Sequence, residues 1–209
     1  MNDYNDRIKG VFNQLLQTHG PTSHHSVAWN SKESQQIRLK VLSQIANLEN
    51  QIVLDVGSGL GDLYGFLKPK NVFYTGIELS EDFKQASEKK YPGLKVINAD
   101  FLEHDFKTQY DFVLCSGAFN TEHPNHQQYV FAAIKKMFDL SRKGVAFNLP
   151  SSLSKLSKQD GTVNQELDVK IAYMDPAEVF NFCKSFCQWV SLRHDYLPHD
   201  FTIYLYKLP

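Results

Sequence analysis

Residues 53–62 read Val-Leu-Asp-Val-Gly-Ser-Gly-Leu-Gly-Asp, an apolar run that leads directly into three closely spaced glycines. The run Ile52–Val56 is typical of a buried parallel strand, and Leu60–Leu67 predicts the helix that follows it. A glycine-rich turn between a strand and a helix lets the backbone approach a ligand at the carboxyl end of a sheet. We therefore expect a ligand site at this turn.

Predicted strands and helices alternate downstream of this turn. Further strands are predicted at Val72–Ile77, Leu94–Ile97, Phe112–Cys115 and Gly144–Leu149, and further helices at Glu81–Lys90, Gln127–Leu140 and Pro176–Phe186. Two terminal runs, Trp189–Arg193 and Phe201–Tyr206, predict a closing hairpin. This order predicts an α/β fold with a doubly wound, mostly parallel sheet, right-handed crossovers and one antiparallel strand. Residues 1–50 have helical periodicity instead, so we divide the chain into an N-terminal helical segment (1–50) and a ligand-binding domain (51–209).

The acid inside the first strand narrows the kind of ligand. Asp55 stands just before the first glycine, and the glycine spacing is Gly-x-Gly-x-Gly rather than the dinucleotide pattern Gly-x-Gly-x-x-Gly. A carboxylate at this position would disfavour a pyrophosphate, whereas a sulfonium or an ammonium would tolerate or favour it. The pattern argues against an oxidoreductase that uses a dinucleotide.

Two further acids follow the next two predicted strands. Glu78 ends the second strand, where a carboxylate accepts hydrogen bonds from both hydroxyls of a ribose. Asp100 follows the third strand and could accept a hydrogen bond from the exocyclic amine of an adenine, with Phe101 against the ring. Each acid alone could be a helix cap or a loop residue. Three acids at the ends of three consecutive strands favour a nucleoside site.

With these motifs, the run from Gln51 to Leu149 resembles the class I methyltransferases that depend on S-adenosyl-L-methionine, and the terminal hairpin fits their last antiparallel strand. The resemblance implies a seven-stranded Rossmann-like sheet, with Glu78 on the ribose and Asp100 near the adenine. It implies that the glycine turn lies under the methionine part of the cofactor. The cofactor-binding residues predicted on this basis are Asp55, Gly57, Gly59, Gly61, Asp62, Glu78, Leu79, Asp100, Phe101 and Ser116.

The fourth strand and the loop after it bear on the methyl acceptor. Phe112 to Asn120 reads Phe-Val-Leu-Cys-Ser-Gly-Ala-Phe-Asn, which departs from the Asn-Pro-Pro-Tyr type found in methyltransferases that act on amide or exocyclic amino nitrogens. His123 and His126 follow in a predicted loop and are candidates for a general base, since an imidazole titrates near neutrality. They could equally be surface histidines. No third ligand with convincing spacing supports a metal site.

Two segments are candidates for a lid. The first holds His24, His25 and Trp29, together with Arg38, whose position on the polar side of its helix would let it pair with the cofactor carboxylate or simply face solvent. The second is the polar stretch Ser151–Lys170, which interrupts the strand–helix rhythm on the ligand side of the sheet. It could form a mobile flap over the acceptor or a passive solvated loop.

Composition sets the remaining expectations. The 209 residues carry a net charge of −1, which gives no electrostatic case for binding long nucleic acid and favours a small-molecule acceptor. The polar N-terminus and the absence of a long apolar run lead us to expect a cytoplasmic protein. A methyltransferase acting on RNA or protein, and a cofactor-binding protein without transfer activity, stay open as alternatives. The acceptor's attacking atom and the oligomeric state are also open.

Overall fold

The computed structural model describes residues 2–29, 31–155, 162–164 and 169–208. The helices are α1 (Asn2–His19), α2 (Lys32–Leu42), α3 (Asp62–Leu67), α4 (Glu81–Lys90), α5 (His126–Leu140) and α6 (Pro176–Lys184). The strands are β1 (Ile52–Val56), β2 (Phe73–Glu78), β3 (Val96–Asn98), β4 (Tyr110–Ser116), β5 (Ser141–Pro150), β6 (Thr162–Asn164), β7 (Val169–Lys170), β8 (Trp189–Leu197) and β9 (Asp200–Tyr206). Each strand and helix predicted from the sequence is present, with shifts of a few residues at the ends.

The main sheet has seven strands in the order β3-β2-β1-β4-β5-β9-β8. The strands β1 to β5 pair in parallel, whereas β9 is antiparallel to both β5 and β8. The predicted doubly wound sheet with one antiparallel strand is therefore confirmed. The strand order reverses between β1 and β4, and in such sheets the ligand binds at the carboxyl ends of the strands beside that reversal.

Alternating side chains of the parallel strands enter two cores, one on each face of the sheet. In β4, Val113 and Cys115 pack on the face covered by α5 and α6, while Phe112 and Leu114 pack on the face covered by α2 and α3. A strand that is buried on both faces has no polar side to alternate with, which is why β1 is apolar apart from Asp55 and why residues 112–115 of β4 form an apolar run. The helices thus fix the sheet from both sides and leave its carboxyl edge for the ligand.

The two N-terminal helices have different positions. The α2 residues Leu39, Val41 and Leu42 are buried in the core on one face of the sheet. The helix α1 instead lies across the carboxyl edge, where Phe12 contacts Phe83 of α4 edge to face. Among the described residues, no helix combines the length and apolar content needed to cross a bilayer.

Candidate functional site

The glycine turn after β1 has the backbone shape that the sequence predicts. Gly57, Gly59 and Gly61 all have positive φ, at 69°, 52° and 73°, a region that side chains other than glycine disfavour. The amides of Gly57 and Ser58 both donate to the carbonyl of Ile77 at the end of β2. A Cβ on Gly57 would lie 2.3 Å from Ala118 Cβ, whereas one on Gly59 would meet only Val27, at 3.5 Å. The turn therefore leaves no space for a side chain at Gly57, whereas at Gly59 it leaves space that a ligand could occupy.

Glu78 lies beside this turn, at the end of β2. Its two carboxylate oxygens accept hydrogen bonds from the backbone amides of Gly59 and Ser80, each at 2.9 Å. Burial raises the pKa of this carboxyl group, and the backbone hydrogen bonds partly oppose that effect. The carboxylate is thus held in one orientation by donors on both sides, and it lines the cavity above the turn.

Asp55 is the most deeply buried acid of the site, with 3% of its surface exposed. Its carboxylate accepts a hydrogen bond from the hydroxyl of Tyr74 on the neighbouring strand β2. Burial raises the pKa of Asp55 to about 7, although the Tyr74 hydrogen bond works against the shift. Because a cation nearby would favour the charged form, this acid provides a place where a positively charged ligand would be stabilised.

Asp100 has a partner that the sequence did not predict. Its Oδ2 accepts from the side-chain amide of Asn5 on α1 at 2.5 Å, and its Oδ1 accepts from the backbone amide of Leu102 at 2.7 Å. The Asn5 amide is an NH₂ donor, the same kind of group as the exocyclic amine of adenine. In this structure α1 therefore occupies the hydrogen-bonding position that we predicted for the adenine.

Two further hydrogen bonds fasten α1 over the sheet edge. The Tyr4 hydroxyl pairs with Thr121 Oγ1 at 2.9 Å, and the Ser80 hydroxyl donates to Asn13 Oδ1 at 2.6 Å. The first contact lies in the first turn of α1 and the second lies past its middle. They hold α1 over this edge, and the lid function expected of the N-terminal segment stays a prediction.

A cavity of about 190 Å³ lies between α1, the glycine turn and the ends of β1 to β4. The predicted cofactor residues that line it are Asp55, Gly57, Gly59, Asp62, Glu78, Leu79, Asp100, Phe101 and Ser116. Four of these nine are acids, and the lone cation among the described lining residues is Lys9, which pairs with Asp6 at 2.6 Å. The lining therefore fits a ligand with excess positive charge, such as one that carries both a sulfonium and an ammonium, and disfavours a pyrophosphate.

Gly61 does not line the cavity. It caps the start of α3 in the left-handed conformation, and a Cβ there would press on Leu94 and Tyr91 at 3.1 and 3.2 Å. The first residue of the helix is therefore Asp62, two residues later than predicted. Asp62 is held by the side chains of Gln35 and Lys90, at 2.9 and 2.7 Å.

The prediction that Arg38 lies on the polar side of its helix is wrong. The residue is 5% exposed, its guanidinium pairs with the buried carboxylate of Asp200, and it donates to Ser34 Oγ at 2.7 Å. It lies against the ring of Trp29, 4.2 Å from the ring centre, and does not line the cavity. Its charge is already neutralised by Asp200, so we no longer assign it to the cofactor carboxylate.

The two candidate bases are also outside the cavity lining. His123 stacks on Tyr129 with 4.5 Å between ring centres, and its Nδ1 accepts from the backbone amide of Asn125. His126 does not lie in a loop, as predicted, but is the first residue of α5. Burial lowers its pKa to about 4, so its imidazole is neutral and far from the range of a useful base at neutral pH. Among the described residues, no three His, Cys, Asp or Glu side chains are grouped to hold a metal ion.

Several contributors to the site were missed because their role depends on tertiary contacts. Tyr4 and Asn5 come from an ordinary amphipathic helix, and Tyr129 from the apolar pattern of α5. Asp200 follows the turn of a terminal hairpin, where an acid carries no functional signal. Half of the predicted flap, Ser151–Lys170, lies outside the described residues.

Residues 53–144 match the family described as "Methyltransferase domain". They contain the glycine turn, the three strand-end acids and the reversal of strand order. These residues form a class I S-adenosyl-L-methionine-dependent methyltransferase domain. The family and fold inferred from the strand-end motifs are thereby confirmed.

Solved structures share the fold of this methyltransferase domain over nearly the whole chain. A 1,6-didemethyltoxoflavin-N1-methyltransferase from Burkholderia thailandensis superposes with a TM-score of 0.70 at 12% identity, covering 100% of this chain and 90% of that one. Magnesium protoporphyrin IX methyltransferase from Synechocystis, solved with S-adenosylhomocysteine, gives 0.66 at 14% identity and covers 97% and 94%. At such low identity these likenesses establish the fold alone.

Curated relatives match less than half of the chain. The ribosomal RNA small subunit methyltransferases A of Bartonella henselae and Brucella anthropi are each 32% identical, over 102 and 97 residues. Those matches cover 47% and 44% of this chain, and the chain spans 37% and 35% of the two relatives.

Proposed function

We propose that the protein transfers a methyl group from S-adenosyl-L-methionine to a small-molecule acceptor. The observation that carries this proposal is the acid-lined cavity over the glycine turn. Of its four acids, Asp62 pairs with Lys90, and the lone cation among the described lining residues, Lys9, pairs with Asp6. A dinucleotide would bring phosphates to the same acids, and a neutral nucleoside would gain little from Asp55.

Each part of the lining has a role in this proposal. Glu78 would accept from the ribose hydroxyls, Asp100 from the adenine amine once Asn5 releases it, and the open backbone at Gly59 would admit the methionine part. Asp55 would stabilise positive charge from beneath the turn. Ser116 and Leu79 would contact the nucleoside from the ends of β4 and β2.

The cofactor supplies a methyl group on a positively charged sulfur: the acceptor atom forms a bond to the methyl carbon while the carbon–sulfur bond breaks, and its electron pair stays on the sulfur. The chain's own contribution is to align the acceptor and to exclude water by means of α1. No general base is assigned, since neither His123 nor His126 lines the cavity. An acceptor that carries a proton would lose it to solvent.

One observation favours a second candidate, a methyltransferase that acts on RNA. The curated relatives at 32% identity are ribosomal RNA methyltransferases. Against it, the net charge is −1 and the one cation among the described lining residues is Lys9.

The cytoplasmic location also stays a prediction.

An assay of S-adenosylhomocysteine formation decides between the candidates. The full chain and S-adenosyl-L-methionine would be incubated with a panel of small acceptors and, separately, with ribosomal RNA. Product with small acceptors alone is the expected result. Product with RNA alone would favour the second candidate, and cofactor binding without product from either would favour a protein that binds the cofactor without transferring the methyl group.

A further inference from the structure

Trp29 contributes an aromatic wall to the cavity on the β4 side. The indole lines the cavity and approaches Gly117 so closely that a Cβ there would lie 2.8 Å from its ring atoms. Gly117 follows β4 directly, at the reversal of strand order. The wall therefore lies on the β4 side of the turn, opposite Glu78 and Asp100. An acceptor bound against this wall would face the cofactor.

A buried ion pair holds this indole in place. The Arg38 guanidinium lies against the Trp29 ring at 4.2 Å and is itself fixed by Asp200 and by Ser34. Arg38 and Asp200 are 5% and 1% exposed, and separating an ion pair buried to this degree would leave an uncompensated charge, which holds the guanidinium in one place. It ties α2 to the start of β9 and presents the aromatic ring as a rigid surface. A rigid surface selects ligand shape, because no side-chain entropy is spent on binding.

The rest of this wall carries no charge. Its described lining side chains are the aromatic rings of Phe119, Tyr129 and Tyr4 and the hydroxyls of Ser116 and Thr121. Burial raises the pKa of both Tyr4 and Tyr129, so both phenols are neutral at ordinary pH. An ionised acceptor would lose its hydration here without gaining a charged partner. A flat ring would gain stacking contacts in addition to the burial of apolar area.

We propose that Trp29 is the stacking wall of the acceptor subsite, and that the acceptor is a small molecule with a flat, uncharged aromatic ring. This inference rests on the proposed function. Arg38 and Asp200 act as positioning residues for Trp29 and touch neither cofactor nor acceptor.

Calorimetry with two matched probes tests the inference. The protein would be saturated with S-adenosylhomocysteine and titrated with 1-naphthol and with its saturated counterpart, decahydro-1-naphthol. Both carry one hydroxyl on the same ten-carbon skeleton, and only the first is flat. Simple apolar burial would not favour 1-naphthol, whereas stacking on the indole favours it by roughly 2- to 10-fold in dissociation constant.

Two tryptophan variants assign the preference to the wall. Trp29→Leu is expected to remove the preference for 1-naphthol, and Trp29→Phe to keep most of it. Trp189→Leu is the matched control, because Trp189 is 44% exposed on the edge strand β8. Trp189→Leu should bind S-adenosylhomocysteine as the wild type does, and in each variant the preference between the two probes is measured at saturating S-adenosylhomocysteine.

The outcomes separate the two proposals. If S-adenosylhomocysteine binds but the two probes bind equally or not at all, the acceptor class is wrong and the proposed cofactor site stands. A preference that survives Trp29→Leu would place the aromatic subsite elsewhere and overturn the role of Trp29. If S-adenosylhomocysteine does not bind to the wild type, the proposed function fails and this inference fails with it.

Discussion

Replacing Glu78 with glutamine tests the nucleoside half of the site. Both carboxylate oxygens of Glu78 now accept hydrogen bonds from backbone amides, at 2.9 Å. A glutamine of the same shape keeps one acceptor oxygen and turns an NH₂ group toward an amide donor. Hydrogen bonds to charged groups contribute about 1.5–3 kcal/mol each, so loss of one ribose contact corresponds to roughly 10- to 150-fold weaker binding of S-adenosylhomocysteine. The same donor conflict should lower the free energy of unfolding by about 1–3 kcal/mol.

Calorimetry and urea unfolding measure these two effects separately. Glu81→Gln is the matched control, because Glu81 begins α4 three residues later with its carboxylate on the exposed side. That variant should bind S-adenosylhomocysteine as tightly as the wild type. An unchanged dissociation constant in a folded Glu78→Gln protein would refute the assignment of this acid to the ribose.

Three further changes test other parts of the site. The pKa of Asp55 is raised by burial to about 7, so the stability that its protonated form contributes is complete below about pH 4 and is lost as the pH rises through about 7. Between pH 5 and pH 8, urea unfolding should show the wild type losing about 2–3 kcal/mol more than Asp55→Asn; parallel losses would contradict the raised pKa. Gly57→Ala should lower the melting temperature more than Gly59→Ala, because a Cβ overlaps neighbouring atoms only at Gly57. Relative to its effect on the melting temperature, Gly59→Ala should weaken cofactor binding more than Gly57→Ala does. The reverse order of melting temperatures would be inconsistent with this geometry of the turn. Asn5→Ala frees the carboxylate of Asp100 from its competing donor, so S-adenosylhomocysteine should bind roughly three- to tenfold more tightly by calorimetry, and weaker binding would mean that Asn5 belongs to the bound state.

The fold and the cofactor side of the site were predictable because their determinants are local in sequence. The segment from β1 to the end of α3 holds a buried strand, a left-handed turn and a helix within 16 residues, and each of the three has a characteristic composition. Glu78 and Asp100 could be located because parallel strands end at the same edge of a sheet.

The surroundings of Trp29 and of α1 could not be predicted in the same way, since they are assembled from residues far apart in the chain. Arg38 has the spacing of a surface residue on α2, and only the return of β9 brings Asp200 to it and buries both. His126 was expected in the loop before a helix that begins at Gln127, yet α5 begins at His126 itself. The cover provided by Asn5 depends on where α1 lies, and no local pattern specifies that.

Titration of the full chain with S-adenosylhomocysteine and, separately, with NADH is the most direct test of the central claim that the acid-lined cavity binds the methyl donor. We predict saturable binding of S-adenosylhomocysteine at one site per chain, no measurable binding of NADH, and loss of S-adenosylhomocysteine binding in Gly59→Val, whose side chain would fill the open space above the turn. Saturable binding of NADH without binding of S-adenosylhomocysteine would contradict the account.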